Sequence, residues 1–121
     1  MTGNLLDTSV IISILQKKLT EPKLQAVRTD NAAISIITFV EVCRFFHHAG
    51  RMREWEEVKA TLANYPALPI TAEVGERAAE ASAKKGLSLA DSIIYATAVT
   101  DGRTLVTRDN EFRKLPNIVL I

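Results

Sequence analysis

Short apolar runs alternate with helical periods along the chain, and this alternation restricts the fold more than any other feature of the 121 residues. "NLLD" reads as a short buried strand, followed by a helix from about Val10 to Leu19. "TEPKLQAVR" reads as a second short helix, with Pro22 tolerated in its first turn. "AAISII" is the next strand, and its unbroken apolar character suits a sheet covered on both faces. A helix then runs from Phe39 to about His48 and stops at Gly50, a usual residue just past a helix end. Met52, Trp55, Val58, Leu62 and Tyr65 follow at steps of three and four, marking one face of another helix that ends before Pro66.

"ALPIT" is a weaker strand, which Pro69 confines to an edge. A polar helix with an Ala/Val stripe spans about Ala72 to Lys85 and ends at Gly86; another opens at Ser88 and closes near Asp101-Gly102. "TLVT" and "NIVLI" are the last strands, with a short turn or helix from Asn110 to Lys114 between them. The order β-α-α-β-α-α-β-α-α-β-α-β predicts a three-layer α/β/α sandwich around a mainly parallel sheet of about five strands with right-handed crossovers. No repeat, low-complexity tract or linker divides the chain, so residues 1–121 are expected to form one domain.

In open parallel sheets, sites form beyond the carboxyl ends of the strands. Ten of the fourteen acids fall elsewhere, most of them on polar helix faces (Glu54, Glu56 and Glu57, or Glu73, Glu76 and Glu80). Four fall at strand ends or in the next helix's first turn: Asp7 in "NLLDTS", Glu41 in "SIITFVEV", Asp91 in "LSLADSIIYATA" and Asp109 in "TLVTRD". Each has a structural explanation. Asp7 and Asp109 can cap the elements that follow them, and Thr38-x-x-Glu41 and Ser88-x-x-Asp91 both have capping-box spacing. Together they imply more. Four carboxylates at one rim repel one another and raise at least one pKa unless a cation neutralises them. An all-oxygen set suits a hard divalent ion such as Mg²⁺. Asp7, Glu41, Asp91 and Asp109 are therefore the candidate metal-ligating and catalytic residues.

Other chemistries find no support. Cys43, His47 and His48 have no zinc-ligand spacing, and the two histidines suit the negative end of a helix. There is no glycine-rich phosphate loop and no G-x-S-x-G elbow. "YATA" reads as small residues that let a helix approach the sheet. A single cysteine excludes an intrachain disulfide and fits a reducing cytoplasm. The N-terminal apolar run, interrupted by Asp7, has the form of neither a signal peptide nor a membrane anchor. Fifteen basic against fourteen acidic residues exert no general pull on nucleic acid, so such a partner requires a local patch. Arg44, Arg108 and Arg113 lie near the four acids in sequence and are candidate nucleic-acid contacts; ordinary surface or ion-pair roles fit them equally.

The stretches "LLDTSVII", "SIITFVEV", "LSLADSIIYATA" and "TLVTRDNEF" resemble, in order and approximate spacing, the acidic motifs of PIN-domain ribonucleases, and in particular VapC-type toxins of toxin–antitoxin pairs. The resemblance spans nearly the whole chain. It implies that Asp7, Glu41, Asp91 and Asp109 correspond to the family's active-site acids. Ser9 and Thr107 would be supporting hydroxyl residues, with Asp-Thr-Ser here where the family often has Asp-Thr-Asn. It further implies a Mg²⁺- or Mn²⁺-dependent endoribonuclease with one or two ions per site, commonly a cytoplasmic homodimer, held inactive by a small VapB-like antitoxin. The alternatives are a PIN nuclease of RNA processing, a receiver-like phosphoacceptor domain and a non-catalytic binding module. Against a receiver, the chain has no adjacent acidic pair near its N-terminus and no lysine on its last strand.

Overall fold

The computed structural model describes residues 3–27 and 31–121. Its elements are β1 (Asn4–Leu6), α1 (Thr8–Leu15), α2 (Glu21–Val27), β2 (Ile34–Ser35), α3 (Ile36–Ala49), α4 (Met52–Leu62), β3 (Ala67–Leu68), α5 (Ala72–Lys85), α6 (Leu89–Thr100), β4 (Thr104–Thr107), a 3-10 turn (Asn110–Phe112) and β5 (Ile118–Leu120). The order matches the one predicted from periodicity. Arg28, the last residue of the predicted second helix, lies outside the described residues.

Every strand pairing is parallel. β4 lies between β1 and β5, with Leu6 opposite Val106 and Val106 opposite Val119. β2 pairs with β3, which leaves β3 at an edge as Pro69 requires. The two ladders meet where Leu5 bridges Ala33: Leu6 N–H donates to Ala33 O at 2.9 Å, and Ala33 N–H donates to Asn4 O at 3.0 Å. The sheet therefore runs β3-β2-β1-β4-β5, regular over three strands and extended to five by this short bridge. The chain builds outward from β1 to one side and then returns to its other side. The carboxyl ends of β1 and β4 accordingly flank the point where strand order reverses, the usual place for a site.

Side chains leave a strand alternately to its two faces, and the core is divided accordingly. Leu6 and Val106 join Val10, Ile11, Val42, Phe46, Trp55 and Leu62 beneath α1, α3 and α4. Their neighbours Leu5 and Leu105 pack on the opposite face with Leu87, Ile94, Ala98 and Phe112. The small residues of "YATA" serve two surfaces: Ala98 meets the sheet, whereas Ala96 packs with Val74 and Ala78 of α5.

Two boundaries differ from the predicted ones. α1 starts at Thr8 and stops at Leu15, because Lys17 takes a positive φ of 55° and turns the chain; Leu19 stayed in the helical pattern only because it folds back into the core at 8% exposure. α3 starts at Ile36 and takes the last two residues of the predicted "AAISII" strand. Ser35 caps it by accepting Ile37 N–H at 3.2 Å, so a cap and tertiary packing override the β-preference of two isoleucines.

Candidate functional site

β1 ends by delivering Asp7 to the sheet rim, where its backbone N–H donates to Val106 O at 2.9 Å. Asp7 occupies the N-cap position of α1, yet its carboxylate caps nothing. Its carbonyl accepts Val10 and Ile11 N–H, while its buried side chain turns across the sheet. Oδ2 accepts the Ser9 hydroxyl at 2.7 Å and the Thr107 hydroxyl at 2.8 Å. Ser9 Oγ in turn accepts Arg108 N–H at 3.1 Å, and Thr107 Oγ1 accepts Asp109 N–H at 3.0 Å. These relays fix the carboxylate plane and leave Oδ1 with no hydrogen-bond donor among the described residues.

Glu41 lies in the second turn of α3, not the first, because the helix begins three residues earlier than its sequence suggests. The predicted Thr38–Glu41 capping box is therefore absent: Ser35 is the cap, and Thr38 is fully buried inside the helix. Glu41 Oε1 accepts the Thr8 hydroxyl at 2.7 Å. Thr8 has one hydroxyl proton, so at its 3.0 Å contact with Thr38 Oγ1 it is Thr38 that donates. Nothing in the spacing of Thr8 and Glu41, 33 residues apart, announces this contact.

Asp91 sits in the first turn of α6, and Ser88 caps the helix by accepting Asp91 N–H at 3.2 Å. Its carboxyl is pushed up to about 6: burial contributes most, then the charges of Asp7 and Asp109, with Glu41 adding a smaller push and the Ser88 hydroxyl pulling the other way. The fold thus brings Asp7, Asp109 and Glu41 each within electrostatic reach of Asp91. Asp109 does cap the 3-10 turn, its Oδ1 accepting Glu111 N–H at 2.9 Å.

The donors share one property. Ser9 and Thr107, Thr8, Ser88 and a backbone N–H are all uncharged. Among the described residues none of the four acids forms an ion pair, whereas Glu54, Glu56, Glu73, Glu80 and Asp101 each have a Lys or Arg within 4 Å. The rim is held by dipoles that orient negative charge without cancelling it.

The three candidate arginines separate. Arg108 reaches back to α1, donating to Ser13 Oγ at 3.0 Å, while Arg44 and Arg113 are exposed. Arg44 and His48 line a groove of about 350 Å³ with Thr8, Ile12, Glu41 and Phe45, open to solvent beside the acids. His47 and His48 occupy the last turn of α3. A hollow of about 290 Å³ between α5 and α6, lined by Arg77, Lys84, Lys85 and Tyr95, contains none of the four acids.

The oxygen-only donors fit a hard divalent cation, with one qualification. Among the described residues no three His, Cys, Asp or Glu side chains already converge on a single point. That suits an ion taken through one or two carboxylates with its remaining ligands water, as Mg²⁺ is commonly bound, and not a closed protein cage. Among the described residues no helix is long and apolar enough to cross a membrane.

The sequence matches no curated protein. By structure, the chain is similar to a chain of a toxin–antitoxin complex from Klebsiella pneumoniae, with a TM-score of 0.83 and 26% identity over 96% of this chain and 95% of that one. It shares the fold of VapBC2 from Rickettsia felis bound to a promoter DNA fragment (TM-score 0.80, 21% identity, 99% and 98% covered). DNA-bound VapBC from Salmonella typhimurium has the same fold (TM-score 0.80, 22% identity, 100% and 98% covered). The family model of the PIN domain matches residues 5–118, nearly the whole length. The chain belongs to the PIN-domain family.

Proposed function

We propose that this chain is a divalent-metal-dependent endoribonuclease, the toxin of a VapC-type toxin–antitoxin pair, with residues 1–121 forming one nuclease domain. The observation that carries the reading is the rim of four carboxylates held by neutral donors, with Asp91 raised to about 6 by burial and by the other three. Of the four only Asp109 caps an element with its side chain, so helix capping alone does not account for four acids at the rim without a cationic partner. Family membership and the likeness to toxin–antitoxin complexes support the same reading.

Asp7, Glu41 and Asp91 would hold Mg²⁺ or Mn²⁺, with Asp109 taking part directly or through water, for one or two ions in all. Such a cation supplies positive charge to a scissile phosphate and lowers the pKa of water in its shell. The chain's own contribution is orientation. Ser9 and Thr107 hold Oδ2 of Asp7 and leave Oδ1 without a donor among the described residues, and Thr8 holds Oε1 of Glu41. Arg44, Arg108 and Arg113 offset the acidic rim for a phosphate backbone. The partners are RNA, a small VapB-like antitoxin and a second copy of the chain.

The test is cleavage of total RNA with Mg²⁺, with Mn²⁺ and with a chelator, by wild type and by Asp7→Asn and Asp91→Asn. Wild type should cut only with the cation, and both variants should lose at least about a hundredfold in rate. Cleavage that survives chelation, or is shared equally by both variants, would refute the reading.

A further inference from the structure

Glu41 differs from the other acids in what restrains it. Asp7 is locked by two hydroxyls, Asp91 stands in the first turn of a capped helix, and Asp109 is bound by its own turn. Glu41 has a longer side chain, lies beyond the first turn of α3 and borders an open groove. Its rotamers include ones that swing it into that groove, toward Arg44 and His48. One contact opposes this, the 2.7 Å bond from Thr8 Oγ1. Thr8 is itself fixed, as the first residue of α1 and by its 3.0 Å contact with fully buried Thr38. Thr38 is buried inside α3, and its hydroxyl contacts Thr8. The two threonines thus join the starts of α1 and α3 through a hydroxyl pair that ends on one carboxylate oxygen.

We infer that Thr8, backed by Thr38, is a positioning residue that holds Glu41 in the rotamer able to face a divalent cation. The inference deepens the proposed function and rests on its cation reading of the rim. A neutral donor is the right chemistry for this task, because a lysine or arginine in its place would satisfy Glu41 and neutralise the charge that attracts the ion. The pair also couples two helices: displacing α3 from α1 would release Glu41 from Thr8.

The experiment is calorimetric titration of Mn²⁺ into the full-length protein, with circular dichroism and melting temperature confirming the fold of each variant. Thr8→Val keeps the side-chain shape without the hydroxyl, Thr8→Ser restores the hydroxyl, and Glu41→Gln removes the charge. Thr8→Val should weaken Mn²⁺ binding by about tenfold, the scale of one hydrogen bond to a charged group. Thr8→Ser should bind within about twofold of wild type. On the Glu41→Gln background Thr8→Val should have no further effect, since nothing remains to position. If Glu41→Gln weakens binding while Thr8→Val does not, or if the two losses add, the positioning role is refuted and the cation reading stands. If wild type fails to bind Mn²⁺, or Glu41→Gln binds as tightly as wild type, the cation reading of Glu41 fails and the inference fails with it.

Discussion

Thr107 Oγ1 donates to Asp7 Oδ2 at 2.8 Å across 100 residues of sequence, tying the carboxyl ends of β1 and β4 together at the reversal of strand order. The same oxygen accepts Asp109 N–H, so one fully buried hydroxyl serves two of the four acids. Thr107→Val keeps the branched shape and leaves a buried carboxylate oxygen one donor short and an N–H without its acceptor. Such a change typically costs about 1–3 kcal/mol. Urea denaturation should show a loss of that size, and RNA cleavage should fall by at least about tenfold. Thr107→Ser should recover most of both.

Asp91 yields a prediction of opposite sign. Its folded-state pKa lies above its unfolded value, near 6 against 3.8, so between those values the native state binds the extra proton. Stability therefore falls as pH rises through that window, and at pH 7 the ionised group is a net liability in the absence of a cation. Partial exposure screens the effect, which leaves about 1 kcal/mol. Asp91→Asn should be more stable than wild type by roughly that amount at pH 7 in chelator, and the gain should vanish below about pH 3, where the wild-type carboxyl is protonated in both states. Denaturation curves at the two pH values measure it. A variant less stable at pH 7 would show that the Ser88 hydrogen bond outweighs the repulsion.

The same repulsion makes the folded protein a reporter of cation binding. Ions that bind the native rim and not the unfolded chain raise the melting temperature by mass action. Millimolar Mg²⁺ or Mn²⁺ should raise the wild-type melting temperature by a few degrees. The shift should shrink in Asp7→Asn and in Asp91→Asn, and an ion pair such as Arg51–Glu54, at the start of α4, should be irrelevant to it. Equal shifts in all three proteins would place the ions elsewhere.

Element order was legible in the sequence because apolar period and helix-stop glycines agree: Gly50 and Gly86 end α3 and α5 with φ of 65° and 71°. The starts of helices were harder to read. Continuous apolar character cannot separate "AAISII" into two strand residues and the first helical turn; the cap at Ser35 makes that division. This misreading also gave Glu41 a capping partner it lacks. Positions of the four acids followed from topology, whereas Thr8 and Thr38 did not, since contacts across 30 and 33 residues leave no mark in local spacing. The boundary itself can be tested. Ser35→Ala should destabilise the fold by about 1 kcal/mol through loss of the cap. Thr38→Val should leave helix content, measured by circular dichroism, unchanged. A larger loss of helix in Thr38→Val than in Ser35→Ala would restore Thr38 as the cap.

Arg44 and Arg108 should contribute differently to RNA binding because the fold treats them differently. Arg44 is exposed beside Glu41 and forms no hydrogen bond or ion pair among the described residues, so its guanidinium is available to a phosphate. Arg108 is partly buried and already donates to Ser13 Oγ at 3.0 Å, which packs the chain after β4 against α1. Removing an exposed phosphate contact weakens binding evenly across sequences and lowers the slope of log affinity against log salt by about one. Arg44→Ala, measured with a short RNA on an Asp7→Asn background to prevent cleavage, should show that signature with an unchanged melting temperature. Arg108→Ala should lower the melting temperature as well, because Ser13 is buried and loses its donor. If Arg44→Ala leaves both the affinity and the salt slope unchanged, RNA does not pass along the α1–α3 groove, and the offsetting charge must come from Arg108 and Arg113.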